Sequence, residues 1–121
     1  FGYAQVPEAV RRHWQVIVER YLNNRKSLCG LFLLMDIRHP LTDFDRQMLA
    51  YCAHRALPIH VLLTKAYKLK QGPAMASLHK VRKSLSDTPQ NSAQLFSSLK
   101  KTGIDEAHDK LAGWLNLHRG D

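Results

Sequence analysis

Apolar residues fall into two kinds of run along this chain, and the two kinds alternate. Continuous apolar runs of strand length occur at Leu28 to Met35 and at Ile59 to Leu63, and a shorter one is predicted at Gln94 to Ser97. Continuous runs of this kind are typical of parallel strands that are covered on both faces. The stretches between them place apolar residues three and four positions apart, which predicts amphipathic helices.

Four helices are expected from this spacing. The first follows Pro7, which suits a first helical turn, and the second begins at Thr42, where Asp45 supports a capped start, and ends near Ala56. The third opens at Gly72 and Pro73, and the fourth precedes the carboxyl terminus. Their buried stripes are predicted within Val10 to Leu22, Phe44 to Cys52, Met75 to Leu85 and Ile104 to Leu115.

The order helix, strand, helix, strand, helix, strand, helix predicts an α/β fold, with a parallel sheet and helices on both faces. Residues 1 to 121 are expected to belong to one domain. The first strand would lie at a sheet edge although its sequence is that of a covered strand. We therefore expect further strands before Phe1 in the parent protein. Self-association through this edge is an alternative way to cover it.

The formal charge of +8 and the pI near 9.8 change the picture, because such a surface favours polyanions such as RNA. A solvated basic surface without a specific partner is the alternative. Cys29 and Cys52 match no disulfide or metal spacing and are expected to be buried, reduced thiols, as in a cytosolic protein. No apolar run reaches membrane-spanning length, so no membrane partner is expected. The seven histidines show no metal-ligand spacing, and no catalytic or metal-binding residue is assigned.

Polar segments follow the predicted strands: Asp36 to Pro40, Thr64 to Tyr67 and Ser97 to Lys100. Ligands of open α/β sheets bind at the carboxyl ends of the strands. The loop after the second strand, Thr64 to Tyr67, is therefore the candidate site on these grounds.

Four runs then carry a resemblance. Gly-Tyr-Ala-Gln-Val-Pro, Leu-Leu-Met-Asp-Ile-Arg-His-Pro, Leu-Leu-Thr-Lys-Ala and Phe-Ser-Ser-Leu-Lys-Lys-Thr-Gly occur in this order, and with them the chain closely resembles the EngB family of bacterial GTP-binding proteins. The resemblance implies the carboxyl-terminal portion of a Ras-like P-loop GTPase fold. It also implies a cytoplasmic protein that acts in large ribosomal subunit assembly and is needed for normal cell division and septation.

The resemblance places Thr64, Lys65, Ala66 and Tyr67 in the guanine-recognition loop, where the family usually has Thr-Lys-Ala-Asp. The lysine stem packs beside the base, and the carboxylate accepts two hydrogen bonds from guanine. A tyrosine offers one oxygen and cannot form that fork. Losing two such bonds, at about 1.5–3 kcal/mol each, is expected to weaken binding by roughly two to four orders of magnitude.

Ser97, Ser98 and Leu99 match the second base-contacting loop, in which a backbone amide near Leu99 would meet the guanine carbonyl. Read without the family, the same serines could cap the next helix. Phe1 to Ala4 resembles the end of the family's switch segment.

The sequence contains no Gly-x-x-x-x-Gly-Lys-Ser/Thr motif, which in P-loop GTPases cradles the phosphates and holds Mg²⁺. The resemblance implies that the intact protein binds GTP or GDP with Mg²⁺. This chain alone is expected to bind nucleotide weakly or not at all and not to hydrolyse GTP.

A second function is kept open, a non-catalytic module that binds rRNA or the ribosome. Its candidate contacts are basic residues near the third helix, namely Lys68, Lys70, Lys80, Arg82 and Lys83. Since no aromatic ladder interleaves them, we expect contacts to phosphates rather than to bases.

Overall fold

The structure is a computed structural model, and it describes residues 29 to 119, with side chains to residue 115. The predicted first helix and the segment Phe1 to Ala4 lie outside the described residues. Three strands are present in the described part: β1 (Leu31–Asp36), β2 (Ile59–Thr64) and β3 (Ser92–Leu95). They alternate with helices α1 (Asp43–His54), α2 (Gln71–Ser84) and α3 (Ile104–Arg119).

The three strands form one parallel sheet in the order β1-β2-β3. Within the described chain β1 therefore lies at an edge, as the sequence predicted. Leu31 pairs with Ile59 and Asp36 pairs with Thr64, so β1 and β2 start and end at the same level. No helix in the described range is long and apolar enough to cross a lipid bilayer.

Helices cover both faces of the sheet, which confirms the predicted layers. On one face the alternate strand residues Met35, Val61 and Leu63 join a buried cluster with side chains of α1 and α2, such as Met48 and Leu78. On the other face Phe32 of β1 meets Trp114 of α3, with ring centroids 5.3 Å apart. The sheet thus lies between α1 and α2 on one face and α3 on the other.

Trp114 lies so close to the start of β1 that residue 30 has no room for a side chain. A Cβ added at Gly30 would stand 2.6 Å from the indole ring. Glycine is therefore required here for packing, which allows α3 to approach the sheet closely.

Helix α1 has the predicted start. Thr42 Oγ1 accepts a hydrogen bond from Asp45 N at 3.2 Å, and the Thr42 N–H donates to Asp45 Oδ2 at 3.0 Å. This reciprocal pair is a capping box. Burial raises the pKa of the Asp45 carboxyl, since that side chain is enclosed at the helix end.

Several predicted boundaries and faces were wrong. Strand β1 begins three residues later than predicted, and β3 occupies Ser92–Leu95 rather than Gln94 to Ser97. Met75 is 41% exposed, because Ala74 takes the inward position of α2. Leu111 and Leu115 are each 45% exposed, because α3 meets the sheet through Ala107 and Trp114 instead. Cys52 is buried as expected, whereas Cys29 is only half-buried.

Candidate functional site

The carboxyl ends of the three strands bring the predicted polar segments to one edge of the sheet. Asp36 ends β1 directly beside Thr64, the last residue of β2. The segment after β3 follows β2 for one further residue, since Phe96 N donates to Leu63 O at 2.9 Å. The structure therefore brings the two loops that the sequence singled out to the same edge.

The first loop is held at its start by a hydrogen bond to β1. Thr64 Oγ1 donates to Met35 O at 3.2 Å, which ties the loop to the end of β1. Lys65 has φ 58° and ψ 36°, a left-handed conformation that is uncommon for a residue with a side chain. Ala66–Lys68 then forms one turn of 3₁₀-helix. The loop thus leaves the strand through a sharp, defined turn.

A backbone hydrogen bond joins this loop to the segment after β3. The Ala66 N–H donates to Phe96 O at 3.1 Å, and Ala66 is buried. The first loop cannot move far from the second without breaking this bond. The two candidate base-contacting loops therefore behave as one surface.

The second loop is closed at its base by paired backbone bonds. Ser97 N donates to Thr102 O at 3.0 Å, and Thr102 N donates to Ser97 O at 2.9 Å. Ser97 Oγ accepts from Lys100 N at 3.0 Å, so this hydroxyl caps the turn and not the next helix, which begins at Ile104. Leu99 is 67% exposed at the tip, where the predicted amide contact would be made.

A buried polar pair supports the second loop from below. His60 Nε2 lies 2.6 Å from Gln94 Oε1, and the Gln94 amide nitrogen donates to the carbonyls of Leu95, at 3.0 Å, and Gly103, at 2.7 Å. Gly103 is the residue that connects the loop to α3, and its φ of 76° favours glycine. Sequence reasoning missed this network, because neither His60 nor Gln94 belongs to a recognisable motif.

An ion cluster at the end of β1 was also missed. Asp36 accepts hydrogen bonds from Arg38 N, Nε and Nη2 at 2.9–3.1 Å, and Lys65 Nζ lies 3.4 Å from Asp36 Oδ2. The hydrogen bonds from Arg38 hold the pKa of the Asp36 carboxyl well below its usual range, so that it stays ionised. The sequence signal was the pair Asp36 and Arg38 directly after a buried strand, but no residue pattern tied it to Lys65.

Tyr67 occupies the position at which the resemblance expects an aspartate. Its side chain is 41% exposed beside the loop, and the Lys68 ammonium lies 5.4 Å from the centre of its ring. That distance is within the range of a cation–π contact. The loop therefore presents an aromatic ring and a cation in place of a carboxylate.

The candidate RNA contacts divide into two groups. Lys68, Lys70, Lys80 and Lys83 are exposed, and α2 contains no acidic residue that could neutralise them along the helix. Arg82 differs, because its guanidinium donates to Ala93 O at 3.0 and 3.3 Å and so ties α2 to β3. The four lysines thus form an exposed basic surface, and Arg82, which is also exposed, has a structural contact.

A cleft of about 890 Å³ lies at the amino-terminal ends of β2 and β3, whereas both loops follow the carboxyl-terminal ends. Its walls include Pro58, Asn91, Glu106 and Trp114. Within the described residues, no group of three His, Cys, Asp or Glu side chains is placed to hold a metal ion. The candidate site therefore remains the edge formed by the two loops.

A parallel sheet between two helical layers, with two polar loops joined at its carboxyl edge, defines this chain as part of a Ras-like P-loop GTPase fold. No protein-family model matches the chain. Three relatives, each named probable GTP-binding protein EngB, are similar to it over nearly all of its length. The relative from Azoarcus sp. (strain BH72) is 56% identical over 95% of the chain, that from Aromatoleum aromaticum 52% over 100%, and that from Methylococcus capsulatus 49% over 100%.

The chain belongs to the EngB family and corresponds to the carboxyl-terminal portion of its members. It spans 56–59% of the length of these three relatives. This confirms the family and the fold that the sequence motifs predicted.

Proposed function

We propose that this chain forms the base-contacting part of a GTP-binding protein of the EngB type. The observation that carries the proposal is the 3.1 Å hydrogen bond from Ala66 N to Phe96 O, which unites two loops that match the family's base-contacting segments. Thr64 to Tyr67 would form one side of the base site, and Ser97 to Leu99 the other.

Four residues of the two loops are assigned a role in binding the base. The Lys65 stem would pack on the face of the purine ring, and Thr64 would hold the loop through its bond to Met35 O. The exposed backbone at Leu99 would offer an amide to the guanine carbonyl oxygen. Tyr67 would replace the two-oxygen acceptor with a ring, which lowers affinity and discrimination between bases.

GTP hydrolysis is proposed for the intact protein only. Positioning of the phosphates and of Mg²⁺ is the main source of catalysis in phosphoryl transfer. The phosphate-cradling motif is not part of this sequence. The residues present therefore fit a nucleotide base and not the phosphates or their metal ion.

The test is a calorimetric titration of the chain with GDP and Mg²⁺ beside a Tyr67→Asp variant. We expect no binding by the unmodified chain and weak binding by the variant, because the variant regains the forked acceptor. Binding by neither chain would remove support for the base site. Tight binding by the unmodified chain would contradict the role assigned to Tyr67.

A second function is favoured by the exposed lysines before and along α2. In the intact protein, phosphates of rRNA would be contacted by Lys68, Lys70, Lys80 and Lys83. The contact would serve assembly of the large ribosomal subunit in the cytoplasm. Normal cell division and septation would depend on this assembly. The supporting observation is that these side chains are exposed and that no ion pair neutralises them in the described part of the chain. Counterion release would make the contact depend on salt but not on sequence.

RNA binding is tested by measuring affinity for a large-subunit rRNA fragment at several salt concentrations. Lys83→Ala should lower the slope of log affinity against log salt by about one, as expected for the loss of one phosphate contact. Arg46→Ala, which removes an exposed cation from α1, is the matched control and should leave the slope unchanged. Equal slopes for both variants would count against a localised surface.

Self-association through β1 is the third proposal. Leu34 of this edge strand is 55% exposed, whereas Leu33 is buried in the core. Leu34→Lys is therefore the informative variant, since a lysine at Leu33 would disrupt folding. A concentration-dependent dimer that is lost in Leu34→Lys would support the proposal, and a monomer at all concentrations would refute it.

A further inference from the structure

Asp36 is a carboxylate that the fold places directly against the first loop. Asp36 is the last residue of β1 and pairs with Thr64, the last residue of β2. Lys65 directly follows Thr64. The Asp36 side chain is only 12% exposed, while Lys65 keeps 35% of its side-chain surface in solvent. The acid is therefore enclosed, and the lysine lies at the surface of the loop.

Arg38 fixes the orientation of this carboxylate. Its backbone N–H and Nε both donate to Asp36 Oδ1, at 2.9 and 3.1 Å, and its Nη2 donates to Oδ2 at 2.9 Å. A guanidinium fork of this kind sets a plane as well as a distance. Oδ2 is then shared with Lys65 Nζ at 3.4 Å. The Lys65 ammonium is thus positioned by Asp36 at the end of β1, which is itself oriented by Arg38 in the turn that follows.

The backbone of Lys65 is in the left-handed conformation, which bears on its contact with Asp36. A residue with a Cβ is disfavoured in the left-handed region, so it persists where its surroundings hold it. The loop bonds hold its backbone, and Asp36 holds the far end of its side chain. Between these two anchors the four-carbon stem is kept from the many rotamers of a free lysine.

We propose that Asp36, oriented by Arg38, is a positioning residue that holds the Lys65 stem in place to receive a purine base. This inference rests on the proposed guanine-nucleotide site and adds to it a device built from the neighbouring strand. Ordering a flexible side chain before the ligand arrives improves affinity, because the side chain then loses less conformational entropy on binding. Two cations share one carboxylate, so the cluster also keeps a net positive charge beside the ligand.

The test uses the full chain carrying Tyr67→Asp, titrated with GDP and Mg²⁺. Asp36→Asn should weaken binding about tenfold, within the range that contacting residues show in coupling experiments. Asp43→Asn, an exposed acid of α1, is the control with the same charge change and should leave affinity unchanged. Arg38→Lys keeps a cation without the fork, so it should give a smaller loss of affinity.

A double variant separates positioning from general damage. If Asp36 acts through the lysine, Asp36→Asn combined with Lys65→Met should bind no more weakly than Lys65→Met alone. A further readout is the rate at which acetic anhydride modifies the Lys65 amine, with Lys68 as the internal reference, measured by peptide mass spectrometry. Asp36→Asn should raise the relative rate at Lys65, and the urea midpoint of each variant records its folding.

The outcomes are distinct. Unchanged affinity and unchanged Lys65 reactivity in Asp36→Asn would overturn this inference and leave the base site standing. Additive losses in the double variant would do the same, since they assign Asp36 a role apart from Lys65. If the Tyr67→Asp chain itself binds no nucleotide, the proposed function fails and this inference fails with it.

Discussion

His60 Nε2 and Gln94 Oε1 lie 2.6 Å apart in the interior, on neighbouring strands. The Gln94 amide nitrogen donates to two carbonyls, so its oxygen must be the atom that faces the histidine. An amide oxygen only accepts, and therefore Nε2 of His60 carries a proton. In neutral His60, Nδ1 then accepts from the Ser92 hydroxyl, 2.6 Å away.

This pair predicts a dependence of stability on pH. Burial lowers the pKa of His60 from the ordinary value of 6.5, although the bond to Gln94 and the charge of Glu106 act the other way and Lys110 and Arg82 add to the lowering. Below pH 6.5 the unfolded chain therefore binds the proton more readily than the folded chain, and stability falls as the pH falls. The stability that His60 contributes should therefore be smaller at about pH 5.5 than at about pH 7.5.

The measurement is the free energy of unfolding by urea at both pH values. His60→Gln should reduce the difference between them, because the glutamine side chain does not titrate in this range. If the unfolding free energy of His60→Gln changed with pH as much as that of the unmodified chain, other groups would be responsible for the dependence.

Gly30 gives a prediction about packing. Gly30→Ala would press a methyl group against the Trp114 ring, and overpacking of this kind costs about 1–3 kcal/mol. Gly72→Ala is the matched control, since a Cβ at Gly72, in the first turn of α2, meets nothing within 4 Å. Thermal unfolding should show a clear loss for the first variant and no loss for the second.

Gly103 gives a prediction about the second loop. Its φ of 76° and the nearness of Leu95 O and the Gln94 amide leave no place for a side chain. Gly103→Ala should therefore destabilise the chain by more than 1 kcal/mol, from strain and from displacement of Gln94. Gly113→Ala, at an open position inside α3, should be neutral or stabilise by up to about 1 kcal/mol. Equal effects in chemical denaturation would contradict the geometry assigned to Gly103.

Thr64 gives a prediction about the first loop. Thr64→Val keeps the shape of the side chain but removes the donor to Met35 O, which should cost about 1 kcal/mol. Thr88→Val, at a half-buried loop position, is the control, because within the described chain no partner of the Thr88 hydroxyl is seen. In the Tyr67→Asp chain, Thr64→Val should also weaken GDP binding. If only stability changed, Thr64 would be a structural residue alone.

Strands whose apolar runs have clear ends could be predicted from the sequence. Strand β2 was placed within one residue, because Pro58 and the polar loop after Leu63 delimit it. Strand β3 was placed two residues too late, because it begins with Ser92 and Ala93, which do not continue an apolar run; the Ser92 hydroxyl is instead partnered by His60 Nδ1 at 2.6 Å. A pattern of hydrophobicity cannot recognise a polar strand residue whose partner comes from elsewhere in the chain.

The same distinction applies to the site. The loops at Thr64 and Ser97 could be proposed because short motifs follow the strands, and the family that these motifs indicated is confirmed by similarity over nearly the whole chain. The contact of Asp36 with Lys65 could not be found, since it depends on the register of two strands. Whether the loops bind a guanine base stays a prediction.

The register of β1 against β2 has a consequence for how the domain assembles. If β1 slipped by one residue, its apolar side chains would exchange faces, and Met35 instead of Asp36 would lie opposite Thr64. The Asp36–Lys65 ion pair would then be lost together with the core. A ligand that requires this pair would bind only the correctly registered sheet, so it would act as a reporter of strand alignment and would stabilise that alignment as its concentration rises.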